Sequence, residues 1–89
     1  MAHIIAESQF DKLPSEEEMS QKARQIDAFL QERGGSWKRT YLAEDEGREL
    51  CEFEAPNPDI IRQAYQQADL PLDRVYAAKV SDTQTPDWH

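Results

Sequence analysis

Positive charge is scarce in this chain of 89 residues: 10 Lys and Arg stand against 18 Asp and Glu, a formal net charge of -8. A phosphate backbone is bound by several basic side chains on one face that release its counterions, so nucleic acid and anionic membrane surfaces are not expected partners. Cysteine is scarcer still. The single Cys51 excludes an internal disulfide. No run approaches the roughly 20 apolar residues of a membrane span or the roughly 7 to 15 of a signal-peptide core, which makes the cytoplasm the expected compartment. Three glycines and five prolines are too few for a linker or a low-complexity segment.

What is present is one small domain, 38% apolar and 31% charged. A chain of this size buries only about 60 to 68 per cent of its unfolded surface, so its core is thin and a second copy would add burial. A homodimer is therefore expected.

Residues 2–8 alternate, with Ala2, Ile4, Ala6 and Ser8 opposed to His3, Ile5 and Glu7, and read as a first strand before a turn at Phe10-Asp11-Lys12-Leu13-Pro14. Ser15 and Glu18 form a capping box, and three acids suit the positive end of the helix dipole. Met19, Ala23, Ile26 and Leu30 then recur at offsets of 4, 3 and 4, the stripe of an amphipathic helix that Gly34-Gly35 ends. Residues 36–43 and 48–55 alternate around Glu44-Asp45-Glu46-Gly47, predicting a hairpin. Asn57 caps and Pro58 starts a second helix, with Ile61, Ala64, Tyr65 and Ala68 on its buried stripe, until Leu70-Pro71 stops it. A last strand follows over 73–80, and 81–89 reads as a polar tail.

The order βαββαβ predicts an α+β, ferredoxin-like domain over 1–80: a four-stranded antiparallel sheet, strands one and three central, both helices on one face. The expected helix-side core is Ile4, Ala6, Met19, Ala23, Ile26, Leu30, Leu42, Cys51, Phe53, Ile61, Ala64, Ala68, Val75 and Ala77. A period of two then puts His3, Ile5, Glu7, Trp37, Arg39, Tyr41, Leu50, Glu52, Glu54 and Tyr76 on the open face. Large aromatics beside carboxylates suggest a covered face. Two such faces stacked, as in dimeric α+β barrels, would enclose a pocket for a small ligand.

Glu7, Glu52, Glu54 and His3 supply the donor types that divalent first-row ions take, whereas Arg39 offers the same carboxylates an ordinary ion-pair partner. His3 and Glu7 lie roughly 13 Å apart along one strand at about 3.3 Å per residue, too far to share an ion without bending. Cys51 reads as a small buried hydrophobe, with a catalytic thiol as the alternative. The terminal Trp88-His89 reads as tail, with folding over a neighbouring subunit's open face as the alternative.

The string Trp37-Lys38-Arg39-Thr40-Tyr41, then Cys51-Glu52-Phe53-Glu54-Ala55-Pro56, Ile61-Arg62 and Leu70-Pro71-Leu72-Asp73-Arg74-Val75 resembles a family of small bacterial domains of unknown function, one member of which is a nickel-binding protein. The resemblance implies a ferredoxin-like fold and a homodimer, and Glu7, Trp37, Tyr41, Cys51, Glu54, Asp73 and Arg74 match its pattern. Two positions depart from it. Family members carry a His in a helix setting similar to Ile-Arg-Glu-His-Ala, where this chain reads Ile61-Arg62-Gln63-Ala64-Tyr65, and a Gly where this chain has Asp69.

The sequence thus predicts a dimeric binding protein holding a divalent metal, nickel among the candidates, or a small organic ligand on the open face. Glu7, Glu52 and Glu54 would supply charge, Arg39 orientation, Trp37, Tyr41 and Tyr76 the walls, and His3, Glu7, Glu52 and Glu54 the metal donors. The competing expectation is a cofactor-free enzyme using a buried Glu, with Glu7 the candidate, as general acid or base.

Overall fold

The computed structural model describes residues 1–80; the tail, with Trp88 and His89, lies outside the described residues. Strand β1 (Ala2–Gln9), helix α1 (Glu16–Gln31), strands β2 (Ser36–Ala43) and β3 (Arg48–Ala55), helix α2 (Pro58–Gln67) and strand β4 (Arg74–Ala78) follow in the expected order. The sheet runs β2-β3-β1-β4, antiparallel throughout. The domain measures 38 × 32 × 19 Å. Its short dimension is that of one helix layer on one sheet, with sheet and helix axes about 10 Å apart. This is the ferredoxin-like α+β fold.

Both helices begin as the capping logic requires. The Ser15 hydroxyl accepts from the Glu18 amide at 3.2 Å, and the Asn57 side chain accepts from the Ile60 amide at 3.2 Å, each satisfying an otherwise orphaned donor. Both also end in the same hydrogen-bond pattern. At the first, Gly34 takes φ +75° and the Gly35 amide reaches back to the Leu30 carbonyl at 2.8 Å. At the second, the Asp69 amide donates to the Gln66 carbonyl and the Leu70 amide to the Tyr65 carbonyl at 3.0 Å, with Asp69 at φ +54°. A left-handed aspartate is strained, and its charge sits at the negative end of the helix dipole. Lys22 offsets part of this by donating to the Ala68 and Asp69 carbonyls, at 2.6 and 3.4 Å.

The core between the layers is Ile4, Ala6, Ile26, Phe29, Leu30, Cys51, Phe53, Ala55, Ile61, Ala64, Tyr65 and Ala68. Phe10, assigned to a turn by its neighbours, is buried as well. Its amide donates to the Gly47 carbonyl at 2.8 Å, latching the end of β1 to the β2–β3 hairpin. Gly47 sits at φ +66°, and a Cβ there would meet the Phe10 carbonyl oxygen at 2.7 Å. The hairpin itself closes through a short 3-10 turn at Glu44–Glu46.

Five sequence expectations are corrected by the packing. Met19 and Ala23 are only partly buried and stand outside the core cluster. Leu42 is 47% exposed and Ala77 is also exposed, because they lie on the two edge strands where the helix layer gives no cover. Trp37 is the larger correction. The β2–β3 register shifts between Trp37 and Arg39, a bulge that turns Trp37 to the helix side opposite Phe53, ring centroids 5.2 Å apart. Lys38 and Arg39 then both reach the open face.

Replacing the strained aspartate tests this account of the second helix end. Asp69→Gly is expected to raise stability by about 0.5–1 kcal/mol, a melting shift of roughly 2–8 °C for a domain of this size, measured by thermal denaturation.

Candidate functional site

The central β1–β3 pair sets the open face. Its register places His3 opposite Glu54, Ile5 opposite Glu52 and Glu7 opposite Leu50, and β4 adds Tyr76 beside Ile5 and Arg74 beside Glu7. From β2, Arg39 pairs with Glu52 and Tyr41 with Leu50. Ile5 and Leu50 are half-buried, whereas Tyr41 is 52% exposed.

The carboxylates form three centres, each with its own partners. Glu7 accepts from the Tyr76 hydroxyl at 2.6 Å and from Arg48 at 3.4 Å, with Arg74 at 4.0 Å. The bond to Glu7 raises the Tyr76 phenol above the ordinary tyrosine range, because the bound proton is harder to remove. Glu52 lies 3.3 Å from the His3 Nε2 and 3.6 Å from the Arg39 Nε. Glu54 is 3.6 Å from the Lys38 Nζ. His3 and Glu52 are therefore brought together, while Glu7 and Glu54 are engaged elsewhere. Among the described residues no group of three or more His, Cys, Asp and Glu side chains converges as a metal cluster. One chain offers a dication an imidazole and a carboxylate.

The face gathers four cations, Lys38, Arg39, Arg48 and Arg74, against Glu7, Glu52 and Glu54. It is close to neutral on a chain that is strongly acidic. A second copy could approach it without the repulsion that the net charge of -8 would otherwise impose.

On the other side of the sheet lies a polar cluster that strand alternation alone left unremarked. Glu49 is only 4% exposed and accepts from the Cys51 Sγ at 3.2 Å. Cys51 is also 3.4 Å from the Thr40 Oγ1, which accepts from the Trp37 indole N–H at 3.0 Å. Burial, and then the charge of Glu49, push the thiol up to about 12. Cys51 is thus the buried small side chain that its strand position implied, and its thiol is held in the unreactive protonated form. The signal for Glu49 was present in the sequence: Glu49, Cys51, Phe53 and Ala55 share one phase of β3, so a carboxyl stands in a core position.

The profile of the nickel responsive protein SCO4226-like family matches residues 5–77, nearly the whole described chain. A ferredoxin-like domain by its architecture, the chain belongs to that family. The fold is similar to that in the crystal structure of SCO4226 from Streptomyces coelicolor A3(2), with a TM-score of 0.78 at 14% identity over 91% of this chain and 100% of that one. No curated protein matches the chain.

Burial raises the Glu49 carboxyl above its ordinary value, so the folded state holds that proton more tightly than the unfolded chain does. The linked stability is complete at low pH and is lost as pH rises through the folded value. Glu49→Gln is therefore expected to melt a few degrees above the wild type at pH 7. The gap should close as pH falls below about 4.5, the ordinary glutamate value. Parallel melting curves across pH 4–8 check the sign.

Proposed function

We propose that the protein is a homodimeric nickel-binding member of its family, which takes the ion on the open sheet face between two copies, with His3 and Glu52 of each as ligands. The observation that carries this reading is the convergence of the His3 Nε2 and the Glu52 Oε2, 3.3 Å apart on the two central strands. Imidazole nitrogen and carboxylate oxygen are donors that nickel accepts, and the family's description as nickel responsive supports that choice of ion.

A single chain supplies two donors, and a two-fold axis would double them to two imidazoles and two carboxylates. The near-neutral charge of the face and the half-buried Ile5 and Leu50 favour stacking of like on like. Arg39, with a side chain 63% exposed, is free to leave Glu52 when a dication takes its place. Tyr41, Tyr76, Glu7 and Glu54 would wall the enclosed space, where a small organic ligand could also be held. Trp37 takes no part, being packed against Phe53 on the far side.

Glu7, the candidate general base of the enzymatic alternative, is engaged by Tyr76, Arg48 and Arg74. No free carboxylate in an apolar pocket presents itself on this face among the described residues.

Titration of tag-free protein with nickel, followed by metal analysis and by mass in solution, tests the proposal. Stoichiometric nickel on a species of twice the chain mass is expected, with affinity falling at least tenfold in His3→Ala and in Glu52→Gln. A monomer that takes up no nickel at micromolar concentration would refute it.

A further inference from the structure

A groove of about 380 Å³ opens on the helix side of the sheet, lined by Met19, Ser20 and Ala23 of α1, Trp37 and Thr40 of β2, Glu49 of β3, and Leu70 beyond α2. It lies on the opposite side of the sheet from the face just described. Its volume falls within the range of small-molecule sites, and its lining is mostly apolar with a few convergent polar groups. The β2 bulge supplies one wall: without it Trp37 would point to the other side of the sheet.

One carboxyl of the lining stands without a cation. Glu49, 4% exposed, accepts from the Cys51 thiol, and among the described residues no Lys, Arg or His forms an ion pair with it. The three carboxylates of the open face each have such a partner. Lys22, on α1 between Met19 and Ala23, is committed to the carbonyls of Ala68 and Asp69. Behind Glu49, next to Cys51 and outside the lining, the buried Tyr65 hydroxyl has no hydrogen-bond partner among the described residues. Burial, with Cys51 and Glu49 adding to it, raises its phenol far above the ordinary range. A buried carboxyl with no cation beside it is costly, and a ligand bearing a positive charge removes that cost.

We propose that the groove binds a small organic cation, a primary amine on an apolar or aromatic body of about ten heavy atoms, its ammonium pairing with Glu49 and its body lying against Trp37, Met19, Ala23 and Leu70. The ammonium completes the ion pair that the described residues leave open. The Trp37 side chain in the lining gives the body an aromatic contact, and the net acidity of the chain attracts cations toward the site. The site needs neither the dimer nor the metal of the preceding section.

The test uses the full chain, isotopically labelled and kept in chelator, titrated with phenethylamine and followed by its amide and indole N–H resonances. Saturable shifts are expected at residues 19–23, at the Trp37 indole, at Thr40 and at Leu70. 2-Phenylethanol, which keeps the body and lacks the charge, should bind at least tenfold more weakly. Glu49→Gln should lose affinity for the amine by a similar factor, while Asp59→Asn, on the surface of α2, should not. Equal binding of amine and alcohol, unchanged affinity in Glu49→Gln, shifts confined to His3 and Glu52, or no saturable shift up to about 10 mM would each overturn the proposal. The comparison of amine with alcohol requires no variant to fold.

Discussion

The antiparallel pairing of β1 with β3 is the constraint on which the other features depend. It runs in unbroken register from Ala2 opposite Ala55 to Gln9 opposite Arg48. Because side chains alternate, that register sends Ile4, Ala6, Cys51 and Phe53 to the helices and His3, Ile5, Glu7, Glu52 and Glu54 to the other side. A slip of one residue would exchange the two sets, burying carboxylates and exposing the core. The Phe10–Gly47 contact pins one end of this pairing, and the residue at that contact must be a glycine because backbone occupies the space of a side chain.

Electrostatics divides the molecule into two sides. On the open face the carboxylates are answered by His3, Lys38, Arg39, Arg48 and Arg74, so the face is close to neutral despite the acidity of the chain. On the helix side, among the described residues, Glu49 is answered only by a thiol that itself holds its proton tightly. Low dielectric makes each uncompensated group there more expensive than any on the surface. The two proposals follow this division: an ion shared between copies on the open face, and a charge brought by the ligand in the groove.

Most of the fold was legible in the sequence because its signals are local. Ser15 and Asn57 cap, Gly34 terminates, and the strands alternate, each without reference to anything distant. The phases of β1 and β3 were read correctly, and with them the positions of Glu7, Glu52, Glu54 and Cys51. The phase of β2 failed at one point. Alternation assumes one residue per step, and the bulge between Trp37 and Arg39 inserts an extra one. The wrong face was thereby assigned to Trp37, and Lys38 was missed as the partner of Glu54. Leu42 and Ala77 failed for another reason: alternation gives the side of a sheet but not whether a helix covers that part of it.

The sequence by itself determined the element order, the helix ends, the inner position of Cys51 and the family to which the chain belongs, since these follow from spacing over a few residues or from patterns along the whole chain. Only the tertiary structure decided which charges meet. That His3 lies beside Glu52 and not Glu7, and that Tyr76 donates to Glu7, depend on residues 49 and 69 positions apart. Contacts at such separations are fixed by strand register and by one bulge, and neither leaves a local trace that composition or periodicity can report.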